Sequence, residues 1–146
     1  MPVGESLDFR IPSDVQYIEA VVGQVVERCV ARAWSRRHVS LNVPVALTEA
    51  LSNAILRGNG DDVSRSVALR VEIDDCTLIA EVRDEGDGFD LEACTEDSSL
   101  PENVLREDGR GLFLMHKLMD RVERFRDGGT AGNTGRNVVR LVLHRV

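Results

Sequence analysis

Two alternating runs separated by an acidic pair restrict the possible folds of this chain more than any other stretch. Val67, Leu69, Val71 and Ile73 alternate with Ala68, Arg70, Glu72 and Asp74, and after Asp75 the residues Leu78, Ala80 and Val82 alternate with Ile79, Glu81 and Arg83. Successive side chains on a strand point to opposite faces, so each run predicts a strand with one buried face, and the short polar turn makes the pair an antiparallel hairpin. A lone hairpin is marginal in water, so its apolar side must be covered by the rest of the chain. The second strand delivers Asp84, whose carboxylate can reach the mouth of a core while its backbone stays anchored. The run Arg83-Asp84-Glu85-Gly86-Asp87-Gly88-Phe89 then opens the longest stretch without apolar periodicity. Gly86 and Gly88 lack Cβ atoms and let the main chain approach a flat ligand. Taken alone, the same run also describes a glycine turn carrying an exposed acid.

Cover for the hairpin is predicted on both sides of it. Leu7, Phe9 and Ile11 alternate with Asp8 and Arg10 as a short strand that Pro12 stops, and Ser13 and Asp14 suit a helix N-cap. Val15, Ile18, Val22, Val25 or Val26, Cys29 and Ala33 then recur every three or four residues, predicting an amphipathic helix to about Trp34. Ser35 to Asn42 is expected as a loop, and Pro44 suits the first turn of a second helix from about Val43 to Arg57, closed by Gly58, Asn59 and Gly60. On that helix Glu49 and Asn53 stack one turn apart, about half a revolution from Leu47 and Leu51 at about 100° per residue, beside the small residues Ala46 and Ala50. Such a pair is either a solvated face or a pair of working side chains.

Beyond Phe89, about 20 residues rich in Glu, Asp and Ser show no sustained period, the mark of a lid or binding loop, and residues 89–108 are assigned that role. Gly109-Arg110-Gly111 leads into Leu112, Leu114, Met115, Leu118 and Met119, a helical pattern ending near Arg121. Glycines at a helix start suit an anion, because free amides and the positive dipole end point outward there; a lid hinge is the other reading. Val122 and Phe125 predict a short strand, and Val139, Leu141 and Leu143 a closing one. The expected fold is α+β, a two-layer sandwich in which a mixed, mostly antiparallel sheet carries helices on one face, with residues 1–146 as a single domain.

The formal net charge of -7 argues against direct nucleic-acid binding, and Arg36-Arg37-His38 is too short to offset it. Cys29, Cys76 and Cys94 are odd in number and without C-x-x-C spacing, so neither a disulfide framework nor a zinc site is expected. No membrane span and no signal-peptide layout are expected, which points to a cytoplasmic setting. His38, His116 and His144 stand apart from one another and are expected to be structural or surface residues.

Three stretches carry a family resemblance. Thr48-Glu49-Ala50-Leu51-Ser52-Asn53-Ala54-Ile55 looks like an N box, Arg83-Asp84-Glu85-Gly86-Asp87-Gly88 like a first glycine box and Gly109-Arg110-Gly111-Leu112 like a second. Together they resemble the Bergerat-type ATPases shared by gyrase, mismatch-repair, heat-shock chaperone and histidine-kinase ATP-binding domains. The bacterial anti-sigma factors that double as serine protein kinases are similar over almost the whole chain. No P-loop pattern competes. The resemblance implies that Asp84 accepts a hydrogen bond from the adenine amino group, with Gly86 and Gly88 letting the backbone lie against the base. Asn53 would hold Mg²⁺, while Gly109, Gly111 and the amides of the helix from Leu112 cradle the ATP phosphates, with Arg106 or Arg110 to neutralise them. Glu49 would be the catalytic base. It further implies an anti-anti-sigma protein whose serine is the phosphoacceptor, a sigma factor that is sequestered, and a homodimer. Relatives often carry a histidine where this chain has Arg57 before Gly58. Two other functions fit the same stretches: a non-catalytic module in which nucleotide only controls partner binding, and a detached histidine-kinase ATPase domain. The second lacks the helical hairpin with a phosphoacceptor histidine.

Overall fold

The computed structural model describes residues 4–58, 60, 64–85, 107–127 and 136–145. In order these form β1 (Glu5–Pro12), a 3-10 turn (Val15–Tyr17), α1 (Ile18–Ala31), α2 (Val43–Asn53) between two π turns (His38–Asn42 and Ala54–Gly58), β2 (Ser66–Ile73), β3 (Thr77–Asp84), α3 (Glu107–Leu118), β4 (Arg121–Asp127) and β5 (Arg136–His144). The five strands lie in the order β1-β2-β3-β5-β4, and every neighbouring pair is antiparallel. This is the α+β arrangement expected from the sequence.

The β2–β3 hairpin is formed as its alternation requires, with Ile73 opposite Leu78 and Ala68 opposite Arg83. Asp74 closes its turn by accepting from the amides of Cys76 at 2.7 Å and Thr77 at 2.8 Å, two bonds that hold its carboxyl below the ordinary range. One side of the sheet is dry: Val67, Leu69, Val71, Ile73, Leu78, Ala80, Val82, Leu141 and Leu143 are buried together with the apolar stripes of the helices. The other side is charged. There a single transverse row crosses all five strands as Asp8, Arg70, Glu81, Arg140 and Glu123, each directly opposite the next. Arg140 anchors it with Nη2 2.6 Å and Nε 2.8 Å from Glu81.

Asp14 starts the first helical segment by accepting from the amide of Gln16 at 3.0 Å. The buried stripe of α1 is Ile18, Val21, Val22, Val25 and Cys29; Val15, expected to begin it, is exposed because it falls in the preceding 3-10 turn. Ala33 takes a left-handed φ of 61° as the chain leaves α1. The Arg145 guanidinium donates to the carbonyls of Arg32 at 3.3 Å and Ala33 at 2.6 Å, satisfying acceptors that a helix end leaves open.

The segment 35–42, expected as a loop, is largely helical. Ser35 Oγ accepts from the amide of His38 at 3.2 Å, His38 packs edge-on against the buried Trp34, and the π turn that follows runs directly into α2. A π turn widens the coil, which accommodates a proline whose ring and missing N–H disturb an α ladder, so Pro44 continues a helix that began earlier. The two π turns make His38–Arg57 one helix of 20 residues. By length and composition alone it could cross a membrane, contrary to expectation; yet Val43, Ala46, Leu47, Ala50, Leu51, Ala54 and Ile55 all lie in the core. Asn42 Nδ2 donates to the carbonyl of Leu118 at 2.7 Å and so pins the start of α2 to the end of α3.

Candidate functional site

Asp84 is the last residue of β3 and faces the helices, continuing the inward series Leu78, Ala80 and Val82. It is 5% exposed, and a carboxylate is buried to that degree at a cost that only hydrogen bonds offset. Asn137, directly opposite on β5, donates one from Nδ2 to Asp84 Oδ1 at 3.0 Å. Asn137 is itself buried, and its Oδ1 accepts from Arg126 Nη1 at 2.6 Å, Arg126 being its cross-strand neighbour on β4. The next residue, Glu85, turns back: its carboxylate accepts from the amide and, at 2.9 Å, from the Oγ of Ser66 at the start of β2. Arg10 Nη1 donates to the same Oγ at 3.1 Å. Asp84 is therefore held from the side by Asn137 and from behind by a clasp on its neighbour.

Glu49 and Asn53 lie one turn apart on α2, both half-buried, next to the fully buried Ala46 and Ala50. Neither sits on a freely solvated face. The π turn Ala54–Gly58 that follows packs against β3 and β2, and α2 packs against β3 and α3. The helix with Glu49 and Asn53 thus neighbours both the strand with Asp84 and the helix with the second glycine pair. Gly109, Arg110, Gly111 and Leu112 fall inside the first turns of α3, which begins at Glu107 rather than after the glycines. Apolar spacing locates where a helix packs and not where its first turn begins, so it points to a start after the glycines. Gly86, Gly88, Arg106 and nearly all of the lid assigned to 89–108 lie outside the described residues.

The model of a family described as "Histidine kinase-like ATPase domain" matches residues 11–143. The chain belongs to this family. As a histidine kinase-like ATPase domain it is matched from Ile11 in β1 to Leu143 in β5, so all the site elements fall within the match. Curated relatives bearing the name serine-protein kinase RsbW are similar over most of their length. One from Halalkalibacterium halodurans is 28% identical over 130 residues, covering 86% of this chain and 78% of its own. One from Bacillus subtilis is 26% identical over 121 residues, 80% and 75% respectively, and one from Staphylococcus aureus strain JH9 is 27% identical over 130, 84% and 80%.

Sequence reasoning overlooked two residues of this histidine kinase-like ATPase domain and one contact between strands. Asn137 continues the inward series Leu143, Leu141, Val139 by one step of two, so the alternation that located β5 already placed a polar residue among buried ones. Arg126 stands four residues beyond the inward-facing Val122 on β4 and could have been found in the same way. The Glu85–Ser66 clasp joins residues far apart in the chain and leaves no periodic mark. The three histidines serve locally: His38 against Trp34, His144 with Nδ1 3.5 Å from Thr77 Oγ1, and His116 exposed on α3, its imidazole held below the ordinary value first by partial burial and then by Arg124.

Proposed function

We propose that this protein is a Mg-ATP-dependent serine protein kinase of the anti-sigma type, which phosphorylates a small anti-anti-sigma partner and holds a sigma factor when that partner is absent. The observation that carries this reading is the buried Asp84 carboxylate, secured by Asn137 at the end of an inward-facing strand and beside the helix bearing Glu49 and Asn53.

Each residue then has a task. Asp84 accepts from the exocyclic amine of adenine, a group that guanine replaces with a carbonyl, so the site excludes guanine at that ring position. Gly86 and Gly88 allow backbone approach to the base. The donor set fits magnesium: the Asn53 amide oxygen is a hard ligand, and a single protein oxygen suits an ion that keeps waters and phosphate oxygens as its other partners. When bound, Mg²⁺ neutralises phosphate charge during transfer. The amides at the start of α3, with Gly109, Gly111 and Leu112 among its first turns, cradle phosphate oxygens, and Arg106 or Arg110 adds positive charge. Glu49 receives the proton of the attacking serine hydroxyl as the terminal phosphorus–oxygen bond to ADP breaks. The nucleophile comes from the partner, so the chain needs no Ser-His-Asp or Cys-His set of its own. The kinase works in the cytoplasm as a homodimer in which residues 1–146 form one domain with a lid at 89–108, with no direct contact to nucleic acid or membrane.

The test is to incubate the full chain with terminally labelled Mg-ATP and its cognate antagonist. Label on a serine of that antagonist is expected. ATP binding without any phosphoserine would refute the kinase and favour the non-catalytic module, and label on a histidine would favour the histidine-kinase alternative.

A further inference from the structure

Asp84, Asn137 and Arg126 stand in one row across β3, β5 and β4 on the helix-facing side of the sheet, and the row has a direction. A guanidinium can only donate. Arg126 Nη1, at 2.6 Å, therefore requires that the Asn137 amide turn its oxygen toward β4. That leaves the amide nitrogen for Asp84, and it lies 3.0 Å from Oδ1. An asparagine with no such neighbour could turn over and present its oxygen to the carboxylate, where two acceptors would repel. Here the donor on the far strand selects the same orientation as the carboxylate and adds to its preference. The buried carboxylate is accordingly met by a donor at Oδ1 and acts there as an acceptor.

Resting on the adenine reading of Asp84, we infer that Asn137 and Arg126 are positioning residues that set the purine specificity of the site. Arg126 fixes the Asn137 amide, and Asn137 holds the Asp84 carboxylate in the acceptor role and orientation that a 6-amino group requires. Neither side chain needs to touch the nucleotide. The recognised class is a 6-aminopurine nucleotide, and the selectivity is carried across three strands from an exposed arginine.

The experiment compares equilibrium affinities of the full chain for ATP and for purine riboside triphosphate, which has hydrogen in place of the 6-amino group. A bond between that amine and a carboxylate makes the wild type prefer ATP by about 10- to 100-fold. Asn137→Leu, close in size but without a donor, is expected to cut this preference at least about fivefold while changing affinity for the 6-H analogue by less than about twofold. Arg126→Met should give a smaller loss in the same ratio, and Arg126→Lys should restore it. A merely structural role would weaken both nucleotides together and leave the ratio intact. That result, in a variant with wild-type melting behaviour, overturns the inference. If Asn137→Leu does not fold, the Arg126 pair decides the matter, since that side chain is exposed. A wild type that binds both nucleotides equally, or neither, refutes the adenine reading of Asp84 itself.

Discussion

The functional reading depends on the rotation of α2 about its axis, because that rotation decides where Glu49 and Asn53 point, and two leucines test it, Leu51 on α2 and Leu56 on the π turn that continues it. Leu51 is fully buried and lies between Glu49 and Asn53 in the chain; Leu56, five residues on, is 47% exposed. Truncating Leu51 to alanine removes about 2 kcal/mol of transfer free energy, and the space left in a packed core brings the loss to about 3–5 kcal/mol. The same truncation at Leu56 should cost under about 1 kcal/mol. Urea unfolding followed by far-UV circular dichroism measures both. With a slope near 2 kcal/mol per molar, the Leu51→Ala midpoint should fall by about 1.5–2.5 M while Leu56→Ala stays within about 0.5 M of wild type, and the slope should be unchanged. Equal losses at the two positions, or a loss at Leu51 below about 1.5 kcal/mol, would mean that the helix is turned differently. Glu49 and Asn53 would then no longer share a half-buried face, and the assignment of base and metal ligand would fail with it.

Glu49→Gln should lower phosphotransfer to the partner serine by about 10²- to 10⁴-fold with ATP affinity within about twofold of wild type; an unchanged single-turnover rate would remove Glu49 as the base. Burial pushes the Cys29 thiol up to about 11, whereas Cys76 is exposed, so at pH 8 a thiol reagent should label Cys76 in native protein and reach Cys29 only after unfolding, as peptide mass mapping would show. Arg32, by its hydrogen bond to the Glu5 carboxyl at 2.7 Å, holds that group below its ordinary value of 4.5. A depressed folded value means stability that is full above pH 4.5 and lost as pH falls through the folded value, so Glu5→Gln should flatten the acid decline in unfolding free energy below pH 4.5. A decline as steep as that of the wild type would refute the linkage.

Much of the fold was legible because period is a strong signal wherever one face is dry. Leu78, Ala80 and Val82 located β3 and its inward side, and with it the direction of Asp84; Ile18, Val22, Val25 and Cys29 did the same for α1. Over Ser35 to Asn42 Pro44 is a local sign of a helix start, yet the helix begins before it, where His38 packs on Trp34 and a wider π turn leads into α2; neither feature has an apolar period that the letters display. At α3 the glycines suggested a late beginning that the backbone does not respect. In the site, Asp84, Glu49 and Asn53 were found as residue types in a pattern. What holds Asp84 was not: alternation marks Asn137 and Arg126 as inward positions, but that they serve Asp84, like the pairing of Ser66 with Glu85, follows from which strand lies beside which, a property of topology and not of neighbouring letters.

The charged row on the open side of the sheet bears on how the chain finds its pairing. Hydrophobic alternation repeats every two residues, so a strand displaced by two keeps its wet and dry sides correct, and burial barely penalises the error. The row does penalise it. Such a slip would set Asp8 against Glu72 or Ala68, and Arg70 against Arg83 or Ile79; it would set Glu81 and Glu123 against valines, Val138 or Val142. At about 0.2–1 kcal/mol for each opposite-charge pair, a slipped edge strand forfeits one pair and a slipped interior strand two, a penalty of up to about 2 kcal/mol. A surface that takes no part in the proposed chemistry thereby acts as a proofreading device during assembly, rejecting the near-miss sheets that greasy contacts alone would let pass.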